Sequence, residues 1–356
     1  MESECENMKF TKRMTALVLS VIFCAGAAGC SSADKSWAMK NSSETIPIGC
    51  YIYNLFASYQ TADNEKKDSS KKVLDQKIDN QDAKTWIRNN AFDNTKKILL
   101  IDKKMKDMKL SLTSEEQKAA DTLSSSTWSK YSSNLEKYGI AQSSFNSAYG
   151  NFIYKEKKIF DAIYGKGGTK AVSDTDLKNY YVKTYTDCSY IVCNLYKTDS
   201  SNNYVSSFTD AEKKSAEKPL NDYASQISSG KMTMSQAADA YKTQIKSSSD
   251  QLHSDSIDLS TDTSYPATFR STLKAMKVGE CKAFEITDSQ VYVLLYKADA
   301  SKNADSVLAS SQRSSLLFSY KEAEFNTSLK KEADTMTGVS VNNTAINSYD
   351  PSMFAS

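Results

Sequence analysis

The stretch TDCSYIVCNLYK, residues 186–197, marks the point where the sequence changes its period. Upstream, apolar residues recur at three- and four-residue steps, as on one face of a helix; here they crowd into a run that reads as a β-strand over 187–196. Cys188 and Cys193 lie five residues apart. On a regular strand they point to opposite faces and stand ~16 Å apart along it, so they neither share a metal nor bridge to each other. Tyr190 falls on the face of Cys188.

Downstream of that strand, Thr209-Asp-Ala-Glu212 opens a helix running to about Ser229, with Pro219 inside it and Gly230 at its end. Thr233-x-x-Gln236 opens a shorter one. Residues 247–264 are polar and show no period. They hold His253, the one histidine of the sequence, within SSSDQLHSDSID. It reads as a solvated loop histidine: Asp and Ser surround it, but no strand–turn–helix elbow presents a nucleophile for a hydrolase triad. Pro266 starts the helix PATFRSTLKAMK, which Gly279 closes. CKAFEIT (281–287) and VYVLLYKAD (291–299) then form a hairpin around Asp288-Ser-Gln. The second strand is almost wholly apolar, so both its faces should be covered.

Upstream, Ser173-Asp-Thr-Asp176 caps a short helix, DLKNYYVKTY. A helix spans Gln142 to Tyr164, with Gly165 as its stop. Gly165-Lys-Gly-Gly168 reads as that stop rather than a phosphate cradle, since no strand precedes it and no Lys-Ser/Thr ends it. Thr113-Ser-Glu-Glu116 is a capping box, and 82–108 a long amphipathic helix. Ile52, Leu55, Phe56 and Tyr59 mark a helix that starts near Pro47. Residues 61–72 are charged and read as frayed. WAMK (37–40) and ETIPI (44–48) read as short strands. At the other end, 303–336 reads as one amphipathic helix, and VSVNN (339–343) and AINSY (345–349) as strands. A late strand pairing with an early one would join the chain's ends and close a helical lobe.

The first residues carry the most specific signal. MKFTKR (8–13) is basic, TALVLSVIFCAGAAG (15–29) is apolar but too short for a comfortable membrane span, and Ala27-Ala28-Gly29-Cys30 follows. Small residues before a cysteine resemble the lipobox of bacterial lipoproteins. That resemblance implies a signal peptide over 1–29, lipid on Cys30 and a tether over 30–36, with translation starting at Met1 or at Met8. The other reading is an ordinary signal peptide or membrane anchor. Cys50, Cys188, Cys193 and Cys281 then remain, as small buried hydrophobes or as two disulfides.

With 356 residues the chain is long enough for two domains. Lys and Arg number 45 against 43 Asp and Glu, so no basic field marks a nucleic-acid partner. With 11 Gly and 4 Pro, the composition favours long helices over a glycine-rich α/β enzyme. No HExxH, CxxC, P-loop or GxGxxG occurs, and neither a metal nor a cofactor is called for.

Over roughly 37–350 the chain resembles the secreted foldase lipoproteins of Gram-positive bacteria (PrsA type) and their periplasmic SurA-type relatives. The resemblance rests on the lipobox, on a helical lobe built from both chain ends, and on VSDTDLKNYYVKTY (172–185) leading into a strand. A strand–helix–helix–helix–strand–strand module follows, in the element order of a parvulin-type prolyl isomerase. The resemblance implies an α+β fold with a helical lobe over 37–184, a parvulin-like domain over 185–300 and a returning segment over 301–356. It implies a chaperone or foldase lipid-anchored on the outer face of the bacterial cytoplasmic membrane, with unfolded secreted polypeptides as partners. Parvulins carry a histidine in the first strand and another in the last. Here the corresponding positions are Tyr190 and Tyr292. No glycine lies between Gly230 and Gly279, where the family has a flexible flap, and the place often held by Cys or Asp falls in KSSSD (246–250). The resemblance therefore implies client binding with isomerisation weak or lost. An active prolyl isomerase and an envelope scaffold stand as alternatives.

Overall fold

The structure is a computed structural model and describes residues 36–201 and 203–355; the segment read as a signal peptide and Cys30 lie outside the described residues. The fold is α+β, and every strand pair is antiparallel. The chain divides into two compact units. One runs to Val172 and resumes at Leu317; the other is Ser173–Leu316. The divisions fall there, rather than at 184/185 and 300/301, because helices on either side of those positions pack on each other within the second unit.

In the first unit, β1 (Trp37–Lys40) pairs with β2 (Thr45–Pro47) around a turn in which Asn41 Oδ1 accepts from the Ser43 and Glu44 amides, both at 2.8 Å. α1 (Ile48–Glu65) follows Pro47 directly and buries Ile52 and Leu55 completely. The charged stretch after it is ordered by Gln76, whose side chain accepts from the Asp68 amide and donates to the Asp68 carbonyl. β3 (Lys77–Ile78) and β4 (Gln81–Asp82) form a tight hairpin, with Asp79 and Asn80 at φ +48° and +63°. α2 (Ala83–Asp107) is capped by Asp82, and α3 (Ser114–Lys137) by the expected Thr113–Glu116 box. The helix expected over 142–164 is two, α4 (Gln142–Ala148) and α5 (Gly150–Tyr164), broken at Tyr149 (φ −118°, ψ −90°). The break adjoins Gly150, which presses on α3 with no room for a side chain: an added Cβ would lie 2.1 Å from Ser124 Oγ and 2.4 Å from Ala120 O.

In the second unit, Ser173 caps α6 (Asp174–Thr184), and β5 (Thr186–Asn194) follows. A hairpin comes next, β6 (Tyr196–Thr198) and β7 (Tyr204–Ser207), where the sequence suggested nothing. α7 (Asp210–Ser228) and α8 (Met234–Gln244) each open on the expected capping box. β8 (His253–Ile257) lies within the stretch read as irregular. α9 (Ala267–Ala275), β9 (Cys281–Ile286), β10 (Val291–Lys297) and α10 (Ala300–Ala309) complete the unit. α10 packs on α6, with Lys178 at 2.8 Å from Asp305 and Asn303 donating to the Tyr181 hydroxyl. The sheet order is β8-β5-β10-β9. One face packs Ile191, Cys193, Tyr292 and Leu294 against Leu220 and Ala237 of α7 and α8. The other packs Cys188, Val293 and Leu295 against Phe269 and Leu273 of α9. Both faces of β10 are covered, as its apolar sequence required, and Cys188 and Cys193 point to opposite faces. Cys50, Cys188, Cys193 and Cys281 are buried and none is bridged to another.

The chain then returns to the first unit along α11 (Gln312–Thr335). The single helix expected over 303–336 is interrupted because the Ser310 hydroxyl accepts from the Gln312 amide and donates to the Val307 carbonyl. β11 (Ser340–Val341) lies against β1, with Met39 opposite Val341, so the sheet reads β11-β1-β2 and the chain's two ends are joined. The next residues, read as a strand, form the short helix α12 (Asn343–Asn347) because the Asn342 side chain caps the Ala345 amide. Phe354 finally seats against Phe56, Tyr59 and Tyr138, with ring centroids 5.4, 5.8 and 4.8 Å away.

Asp350 fastens this last segment to α2, at 2.7 Å from Lys84 and 2.9 Å from Arg88. Burial alone would raise its carboxyl; the Lys84, Ser352 and Arg88 donors outweigh it and hold the carboxyl well below the usual range. A depressed folded-state pKa stabilises above the unfolded value, about 4, and that contribution is lost as pH falls below it. Asp350→Asn is therefore expected to lower the first unit's stability at pH 7, and the difference from wild type to shrink steadily from about pH 4 downward. Urea unfolding at several pH values reads this directly, and a difference independent of pH refutes it.

Candidate functional site

Strand alternation decides which residues meet. Tyr190 pairs with Leu295 of β10, while Tyr292 pairs with Cys193 of β5. The two tyrosines singled out in the sequence thus lie on adjacent strands but opposite faces, and no one cleft receives both. Tyr292 is buried under α7, where its hydroxyl donates to Asn221 Oδ1 at 3.0 Å. The residues of β10 that share the Tyr190 face are Val291, Val293 and Leu295, all aliphatic, and Lys297, whose ammonium donates to the Leu273 and Met276 carbonyls.

The polar companions of Tyr190 come from β8 and from the turn before α9. His253 is its register partner, and the two rings stack at 5.1 Å with planes 21° apart. Two residues on, Asp255 shares the face, and its Oδ2 accepts from the Tyr190 hydroxyl at 2.9 Å. Phe269 meets the Tyr190 ring edge-on at 5.3 Å, and Tyr265 stacks on Phe269 at 5.1 Å. Cys188 lies beneath, in the register pair of Asp255. The carboxylate that faces Tyr190 is therefore Asp255, not a residue of 246–250. Nor is His253 a loop residue: pairing with β5 fixes it on a strand, although its side chain remains exposed.

The electrostatics follow from this crowding. Burial, reinforced by the hydrogen bond to Asp255, pushes the Tyr190 phenol up to about 12. The same causes raise Tyr265. Burial and the nearby Asp255 and Asp187 carboxylates push the Cys188 thiol up to about 12, so at neutral pH it is a protonated, inert thiol rather than a nucleophile. The Tyr190 hydroxyl is a neutral donor already committed to Asp255. The cluster offers an aromatic surface with one carboxylate under it, suited to stacking and hydrogen bonding and not to covalent catalysis. Among the described residues, no group of three or more His, Cys, Asp and Glu side chains is placed to hold a metal.

Sequence reasoning passed over Asp255, Tyr265 and the strand that carries His253. Their signal was the two-residue alternation His253, Asp255, Ile257 with Ser254 and Ser256 between them, faint because only Ile257 is apolar.

The first unit holds two adjoining recesses of about 260 and 340 Å³. Both are lined by Lys104, Met108 and Glu332, with Lys104 and Glu332 paired at 2.6 Å. Ile163, Phe325 and Leu329 line the first, and Leu100 and Met336 the second.

No protein-family model matches the chain, and no curated protein matches it. Among solved structures, it is similar to the foldase protein PrsA of Lactococcus lactis, at 16% identity over 90% of this chain and 98% of that one, with a TM-score of 0.36. It is similar to the foldase protein PrsA of Streptococcus pneumoniae at 14% identity, covering 87% and 97% of the two chains, with a TM-score of 0.35. Its similarity to PrsA of Bacillus subtilis is 15% in identity, over 78% and 94% of the chains, with a TM-score of 0.29.

Proposed function

We propose that the chain is an exported, lipid-anchored chaperone of the foldase type, which binds unfolded polypeptides and does not isomerise prolyl bonds efficiently. The N-terminal pattern ending in Cys30 supports the anchor. The joined chain ends and the order β5, β6, β7, α7, α8, β8, α9, β9, β10 support the foldase reading, with the β6–β7 hairpin and β8 interposed in the order read from the sequence. The recesses of the first unit set Leu100, Met108, Leu329 and Met336 beside the Lys104–Glu332 pair, a mixed apolar and charged surface that supports contact with varied segments.

The observation that carries the reading is the placement of Tyr190 and Tyr292. Rotation about a peptide bond meets a barrier of ~18–20 kcal/mol, and lowering it requires polar groups that converge on the twisted amide. Here the two hydroxyls are on opposite faces and tied to Asp255 and Asn221.

The mature chain is expected to suppress aggregation of reduced α-lactalbumin at near-stoichiometric ratios. In a protease-coupled assay it is expected to leave a prolyl peptide at its uncatalysed rate, with relaxation over roughly tens of seconds. One observation favours an active isomerase instead: the exposed His253 ring stacked on Tyr190. Turnover that disappears in His253→Ala or Tyr190→Phe would establish that second reading. A chain that neither turns over peptide nor protects the client is a scaffold.

A further inference from the structure

Residues 350–355 lie on the first unit in the manner of a bound peptide. Among the described residues, their backbone makes hydrogen bonds only within the segment: the Met353 amide donates to the Asp350 carbonyl at 3.0 Å, the Ala355 amide to the Ser352 carbonyl at 3.1 Å and the Ser352 amide to Asp350 Oδ1 at 3.0 Å. The contacts with the helices come from side chains. Asp350 and Phe354, four residues apart, make the most specific of them. Asp350 Oδ2 takes Lys84 and Arg88, which stand one turn apart on α2. Phe354 is buried among Phe56, Tyr59 and Tyr138.

The receiving surface is set by other elements. Phe56 and Tyr59 stand three residues apart on α1, and Phe56 meets Tyr138, just past the end of α3, directly at 5.6 Å. Nor does the segment exhaust the basic pair. Asp350 reaches the Arg88 guanidinium through Nη2 alone; Nε is buried and has no hydrogen-bond partner among the described residues. The other oxygen of Asp350 is engaged by the Ser352 amide, so it cannot turn to Nε. A carboxylate on a longer side chain can take both nitrogens, the stronger, bidentate arrangement.

We propose that this surface is a peptide-binding site with the chain's own 350–354 segment as resident occupant, and that client segments carrying a Glu four residues ahead of an aromatic ring displace it. The proposal rests on the chaperone reading and names one kind of segment that a client offers. Folded proteins bury their aromatic rings; unfolded ones expose them. The resident segment acts as a filter, because a tethered ligand competes at an effective concentration in the millimolar range. Segments lacking either anchor stay out. A second copy of this chain offers only the same Asp-led segment, without the tether, and is outcompeted at micromolar concentration. A Glu-led segment gains the Nε bond that the resident lacks.

The test uses the whole mature chain and a fluorescent octapeptide, Ser-Tyr-Glu-Pro-Ser-Met-Phe-Ala. In two control peptides Gln replaces the Glu, or Ala the Phe. Millimolar octapeptide is expected to speed hydrogen exchange at the 352–355 amides of the wild-type chain, and neither control to do so. Phe354→Ala, which empties the ring pocket, is expected to bind the octapeptide about tenfold or more tighter than wild type by fluorescence anisotropy. The exchange measurement needs no substitution, so it decides the matter even if Phe354→Ala fails to fold. Unchanged exchange at 352–355, equal effects of the octapeptide and its controls, or equal affinity of wild type and folded Phe354→Ala overturns the proposal. So does a dimer that forms with concentration and is lost in Phe354→Ala, which would make a second copy the occupant. Absent displacement in a chain that still suppresses client aggregation overturns the site and leaves the chaperone reading standing. Failure of wild type to suppress aggregation overturns the chaperone reading itself, and the client assignment with it.

Discussion

Phe160→Ala is expected to destabilise the first unit by about 4 kcal/mol, the largest effect of any single truncation considered. Phe160 is buried at the junction of α5 with the returning helix α11. Its ring meets Phe318 at 5.2 Å, Phe325 edge-on at 5.2 Å and Tyr164 at 5.1 Å. Truncation removes the transfer free energy of a whole ring and leaves a cavity that three rigid aromatics cannot collapse into. For a unit of this size the midpoint should fall by about 10 °C. Because the chain has two units, the measurement should follow a probe confined to the first, such as Trp86 and Trp128 fluorescence during urea unfolding, rather than one global transition. Phe160→Leu keeps most of the volume and should cost about 1 kcal/mol. A Phe160→Ala loss as small as that of Phe160→Leu would show that α11 does not depend on this contact.

Gly150→Ala should cost about 3 kcal/mol by the opposite mechanism, overpacking. Its reason is the contact with α3 and not backbone freedom. The added methyl would have to displace both the Ser124 hydroxyl and the Ala120 carbonyl, and a helix carbonyl moves only with its helix. Ser124→Gly removes the nearer obstacle but not the backbone one. The double variant Gly150→Ala with Ser124→Gly should therefore recover only part of the loss, and the shortfall measures the carbonyl contact. Full recovery would place the whole clash on the serine.

The parts of the fold that the sequence revealed are those where one physical signal acts alone. Thr113, Ser173, Thr209 and Thr233 each cap a helix because a side-chain oxygen three residues ahead of an orphan amide needs no tertiary help. The unbroken apolar run of β10 could only be a strand covered on both faces. The parts that stayed hidden depend on partners far along the chain. β8 is nearly all polar and is a strand because β5 lies beside it. β6 and β7 bury almost nothing, so no hydrophobic period announces them. The break at Tyr149 is invisible because the apolar pattern runs straight through it, and only the surface of α3 requires it. Of the candidate site, Tyr190 was legible from its place on a strand. Its neighbours were not, since strand register brings Asp255 and His253 to it. Tyr292 was assigned to the same site because two strands were recognised without knowing which residues of each faced the same way.

The antiparallel pairing of Met39 with Val341 has a temporal meaning. A ribosome makes the chain from its beginning, yet the middle strand of the first sheet lacks one neighbour until Val341 has been added. The second unit is one continuous stretch, and it can complete its structure while the first still waits. During synthesis, the opening segment of the first unit therefore stays incomplete for longest, with an apolar surface awaiting β11. Closing the first sheet thus waits on residues far along the chain, a long-range contact of the kind that slows folding.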